Sequence, residues 1–111
     1  MSRARWHILR EAGAVCVARR VPVRFDIAAE TVLPRAGKLR LAHQVRQDIW
    51  RALRWLRGFA PVVRVSDTAE GLHVQAGGQV DGAIPVARAE AVLARVLADP
   101  DNRARWVRWA R

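Results

Sequence analysis

From Lys38 to Arg57 apolar side chains recur at three- and four-residue spacing, and this stretch constrains the fold more than any other part of the chain. At about 100° per residue, Leu41, Ala42, Val45, Ile49, Ala52, Leu53 and Leu56 share one face, and Arg40, His43, Arg46, Gln47, Trp50, Arg51, Arg54 and Arg57 share the other. The spacing predicts a helix over 38–57, with Gly58 in the place of a C-cap glycine. An apolar stripe of that width has to be covered, so the flanking segments must supply a second layer.

Those segments alternate with the period of strands. Val21, Val23, Phe25 and Ile27 interleave with Pro22, Arg24 and Asp26, which predicts a half-buried strand. Its start should lie at a sheet edge or just outside the pairing, because Pro22 has no N–H to donate. After the helix, Pro61, Val63 and Val65 alternate with Val62, Arg64 and Ser66. Leu72, Val74 and Ala76 then alternate with His73 and Gln75. Asp67 to Gly71 between these two strands reads as a five-residue hairpin loop, and Gly77-Gly78 reads as either a bulge or a turn. Pro85 opens a second helix with an apolar stripe of Val86, Ala89, Val92, Leu93, Val96 and Leu97. Asp99-Pro100 reads as an N-cap followed by proline at the first position of a short C-terminal helix. Arg3 to Ala18 admits two readings: Trp6, Leu9 and Ala12 suit a short helix, whereas Ala14 to Ala18 suit a strand, and extended structure is expected after Gly13.

The β-α-β-β-α order with a short C-terminal helix predicts an α+β fold, a small two-layer sandwich in which helices pack on a mainly antiparallel sheet. The strands flanking the first helix are free to lie parallel, joined by a right-handed crossover. A chain of 111 residues is expected to make one domain over 1–111. The longest near-apolar run, Ala12 to Ala18, is far short of the roughly 20 residues a membrane span needs. No secretory signal pattern opens the chain, so a cytoplasmic location is expected.

Chemistry is hard to find in the residues. His7, His43 and His73 have no ligand-spaced partners, so no metal site and no cofactor are expected; His43 and His73 are read as solvated. Cys16, the single cysteine, sits between Val15 and Val17 and reads as a buried thiol. Ser2 and Ser66 lie in no nucleophile motif, and the acidic residues fall at strand ends, turns and caps. The expectation is a protein that is not an enzyme.

Charge is the informative property. The net charge is +10, and residues 1–60 carry 13 basic against 4 acidic side chains, a local excess of +9. Of the 20 basic residues only Lys38 is lysine, a bias of the kind GC-rich coding produces, which explains arginine over lysine but not the basic excess. The outward helix face therefore nominates Arg40, Arg46, Gln47, Trp50, Arg51, Arg54 and Arg57 as a contact surface. Guanidinium groups there would neutralise nucleic-acid phosphates and Trp50 would stack on an unpaired base. The alternative is a protein-interaction module or assembly subunit, binding an acidic protein or a second copy of itself through tryptophan and arginine anchors. Four of the five tryptophans directly follow arginine, at Arg5-Trp6, Arg54-Trp55, Arg105-Trp106 and Arg108-Trp109. Trp106 and Trp109 are expected to dock the terminal helix on the core. The exposed sheet positions, Arg24, Asp26, Arg64, His73 and Gln75, offer no aromatic platform of the kind RNA-recognition sheets use.

Overall fold

The computed structural model describes residues 6–111; the start of the ambiguous N-terminal segment, Arg3 to Arg5, lies outside them. Five strands form one sheet in the order β1-β2-β4-β5-β3, and every neighbouring pair is antiparallel. The strands are β1 (His7–Glu11), β2 (Ala14–Ala18), β3 (Ile27–Leu33), β4 (Ala60–Thr68) and β5 (Gly71–Gln79); the helices are α1 (Lys38–Leu53), α2 (Val86–Ala98) and α3 (Pro100–Ala110). The chain is an α+β fold, as its element order predicts. Because β3 and β4 flank β5 and each runs antiparallel to it, the two strands joined through α1 are parallel to one another with β5 between them.

One sheet face carries Val15, Val17, Val63, Val65, Leu72, Val74, Ala76, Ile27 and Leu33, and it packs on Leu41, Ala42, Val45, Ile49 and Leu53 of α1 with Ala89, Leu93 and Leu97 of α2. These side chains are all buried, so the apolar face read from the helical period is the face that meets the sheet. α3 packs on α1 and α2 through Trp106 and Ala110. Asp99 caps α3 by accepting the Asn102 N–H at 3.0 Å, with Pro100 in the first turn. Trp109, by contrast, is 64% exposed and does not dock the helix. The 60° that separates residues three apart places Trp109 on the rim of the buried stripe rather than within it.

Five sequence expectations need correction. The alternation over 21–27 is not a strand: residues 21–26 form an irregular strap and β3 begins at Ile27. The strap crosses the sheet face that lacks helices, where Val23 and Phe25 cover Cys16, Ala18 and Val62. Val23 and Phe25 alternate with polar residues because that side of the strap meets the sheet, with no ladder required, while Val21 stays exposed. Asp26 ends the strap: its N–H donates to the Gly78 carbonyl at 2.9 Å, while its carboxylate accepts from Arg24 and from the Val80 N–H.

The α1 helix stops at Leu53 rather than Arg57. The Trp55 indole takes the Ala52 carbonyl at 2.8 Å and the Leu56 N–H turns to Leu53 at 2.9 Å, so the next turn cannot continue the α ladder. Gly58 is left-handed at φ +69°, and a Cβ there would fall 2.2 Å from the Asp81 carboxylate. The β4–β5 loop is shorter than read, since Asp67 pairs with Leu72 and Thr68 with Gly71, leaving only Ala69 and Glu70 to turn. Gly77 and Gly78 form neither a bulge nor a turn. Both pair regularly with β3 and β4, and a Cβ on either would sit about 2 Å from a neighbouring carbonyl oxygen, Ile27 or Ala60. Finally, the N-terminal segment is a hairpin: β1 pairs with β2 around Ala12-Gly13, so Leu9 and Ala12 belong to no helix.

Candidate polyanion interface

The seven residues nominated from the outward face of α1 do not act as one stripe. Arg40 lies at the start of the helix and donates to the Arg111 carbonyl at 3.2 Å. Arg51 faces Asp48 at 3.4 Å. Gln47 is half-buried, and Arg54 and Arg57 stand exposed in the turns after the helix has ended. Asp48 is the reason for much of this ordering. Only 12% of its side chain is exposed, and its carboxylate accepts from Arg105 at 2.8 Å and from the Trp106 indole N–H at 2.6 Å, fastening α3 to α1.

Arg46 and Trp50 are the two nominated residues that the fold gathers with others. They line a cleft of about 610 Å³ together with Trp6, Arg19, Arg20, Phe59, Ala60 and Pro61. Register explains the assembly. His7 pairs with Ala18, so Trp6 falls opposite Arg19, and the Arg19 N–H extends the β2–β4 ladder to the Pro61 carbonyl at 3.1 Å. The Trp6 ring therefore carries two guanidiniums within cation–π distance, Arg19 at 5.6 Å and Arg46 at 4.4 Å from its centroid. On the other wall Trp50 stacks on Phe59 with ring centroids 6.2 Å apart and planes 9° from parallel. Phe59 is buried while Trp50 keeps 43% of its surface exposed, so the stack rests Trp50 on the core and leaves part of its surface to solvent.

The electrostatics of this cleft are one-sided. Among the described residues that line it, three carry guanidiniums and none is acidic. Burial lowers the pKa of Arg46, a sign that its charge has lost hydration. A guanidinium nonetheless stays protonated under any physiological condition. His43 is half-buried, not simply solvated as the sequence suggested. Burial first, and the Arg46 charge second, push its pKa below the usual histidine value. The neutral ring accepts the Arg46 Nε–H at Nδ1, 3.2 Å away, and so fixes the plane of the guanidinium. His73, the other histidine read as solvated, meets Glu30 at 2.5 Å on the far sheet face.

Compared with known proteins, the chain matches no family model, no curated protein and no solved structure. Its chemistry must therefore be read from the cleft itself. A partly dehydrated guanidinium, two more beside it, and aromatic walls suit a planar ligand that carries negative charge; the volume lies within the roughly 300–1,000 Å³ typical of ligand sites. Helical periodicity could not reveal Trp6, Arg19, Arg20 and Phe59 as members of this site. The available signals were local, the Arg5-Trp6 pair and the Arg19-Arg20 dyad, and only the hairpin register joins them to α1.

Proposed function

We propose that this protein binds single-stranded nucleic acid without catalysis, an unstacked base resting against the exposed part of Trp50 while Arg19, Arg20 and Arg46 neutralise the adjoining phosphates. The observation that carries this reading is the clustering of Arg19 and Arg46 over the Trp6 ring beside a part-exposed Trp50, in a cleft whose described lining has no carboxylate. Stacking on aromatic rings and backbone neutralisation by arginine are the two interactions from which sequence-tolerant single-strand binding is built. A duplex fits less well, because its bases are already stacked and offer no free face. Arginines neither give nor take protons near neutrality, which favours binding over acid–base chemistry.

Tryptophan fluorescence tests the reading directly. Titration with a single-stranded oligonucleotide of about ten residues should quench the emission and shift it in a saturable way, since two of the five tryptophans line the cleft. Trp50→Ala should weaken binding by about 1–3 kcal/mol, the worth of one base–aromatic stack. No quenching at micromolar protein, or equal affinity for duplex and single strand, would remove the proposal.

A further inference from the structure

The two edges of the sheet are treated differently. On β3 the outer edge is closed by side chains from the helices: Glu90 accepts the Ala28 N–H at 2.9 Å, and Arg103 donates to the Val32 carbonyl at 2.7 Å and to the Thr31 hydroxyl at 2.7 Å. Among the described residues no side chain reaches the backbone along the outer edge of β1. All five of its residues are exposed, including Ile8 at 43% and Leu9 at 39%, and the strand contains neither proline nor lysine. Unpaired strand edges of this kind are templates for another strand, and proteins normally blunt them in the way β3 is blunted.

We propose that β1 pairs antiparallel with β1 of a second copy of this chain, joining two five-stranded sheets into one. The strand is complementary to itself. With Leu9 opposite its own counterpart on the two-fold axis, His7 faces Glu11 and Ile8 faces Arg10, in both directions. Strand alternation puts His7, Leu9 and Glu11 on the helix-free face and Ile8 and Arg10 on the other. The joined helix-free face then gains a Leu9–Leu9 contact flanked by two His7–Glu11 pairs, in which an imidazole N–H can donate to the carboxylate, and Glu11, which already receives Arg64 of its own chain, gains a second donor. On the helix side Ile8 lies along the aliphatic stem of Arg10. No other register centred within the strand both avoids like charges and brings the two leucines together. The axis is perpendicular to the sheet, so both copies present their helices, and the clefts beside Trp6, on the same side. Five paired residues bury less than a standard protein interface of about 1,600 Å², so the association is a weak, reversible one.

Sedimentation equilibrium of the full chain decides it, at protein concentrations from about 1 to several hundred micromolar and enough salt to screen the net charge. The expected species at the upper end has twice the 12.5 kDa mass of the chain. Leu9→Lys, which places two ammonium groups on the axis, should leave a monomer with unchanged circular dichroism. His7→Glu at the strand end provides a second, conservative disruption: it should weaken the dimer at least tenfold, and adding Glu11→Lys should restore it. A monomer at every concentration, or a dimer indifferent to both Leu9→Lys and His7→Glu, would overturn the proposal. Dimerisation is read without any nucleic acid present, so failure here and failure of the binding proposal are separable.

Discussion

Replacing Asp48 by alanine removes one carboxylate and leaves three donors without their acceptor. The Trp106 indole N–H belongs to a fully buried ring and has no other acceptor within reach among the described residues. A hydrogen bond to a charged group contributes about 1.5–3 kcal/mol, and leaving the donor unsatisfied forfeits all of it. The Arg105 pair is partly exposed and adds no more than about 1 kcal/mol, while Arg51, mostly exposed and 3.4 Å away, adds nothing measurable. The expected loss is therefore about 2–4 kcal/mol, or on the order of 10–20 °C in Tm for a domain of this size. Urea unfolding at constant pH measures it, with Asp48→Asn as the discriminating control. An amide oxygen still accepts from Trp106, so that variant should lose only the charge component, about 1 kcal/mol or less. Equal losses in the two variants would refute the view that the buried indole bond, rather than the ion pair, fastens α3 to α1.

Three further outcomes are expected. His43 has its pKa lowered by burial and by Arg46, so the unfolded chain takes up a proton that the folded chain resists. Its contribution to stability is complete above the ordinary histidine value of about 6.5 and declines as pH falls through and below it; Tm followed from pH 8 to 5 should fall less steeply in His43→Gln than in the parent, and equal slopes would contradict this. Gly77→Ala would force a Cβ against the Ile27 carbonyl at 2.0 Å, and purification of a folded, cooperatively melting variant would show that the β3–β5 approach is looser than described. Trp106→Ala should cost about 3–5 kcal/mol and Trp109→Ala less than about 0.5 kcal/mol, a contrast that urea midpoints resolve.

How far the sequence carried the fold depended on whether a pattern had one physical cause or two. The stripe from Leu41 to Leu53 could arise only from a helix lying on an apolar layer, and every buried position of α1 is in it. Alternation over 21–27 has two causes, a strand in a ladder or a strap with one side on a sheet, and composition does not separate them. The end of α1 was invisible for a different reason: the indole of Trp55 competes for a backbone acceptor, an interaction with no periodicity. The candidate cleft was legible only in part. Arg46 and Trp50 came from the helical period, whereas Trp6 and Arg19 reach them through strand register, which pairs residues distant in sequence, and Phe59 through the turn that follows α1.

The slope of binding against salt tests the central proposal most directly. For a single strand, log K falls by about 0.7 per neutralised phosphate for each decade of salt, so three cleft arginines predict a slope near −2. Arg20→Ala and Arg46→Ala should each reduce its magnitude by about 0.7, while Arg54→Ala and Arg57→Ala, in the turns outside the cleft, should leave it unchanged. A slope near zero, or one that responds to Arg54 and Arg57 but not to Arg20 and Arg46, would contradict the cleft as the site of contact.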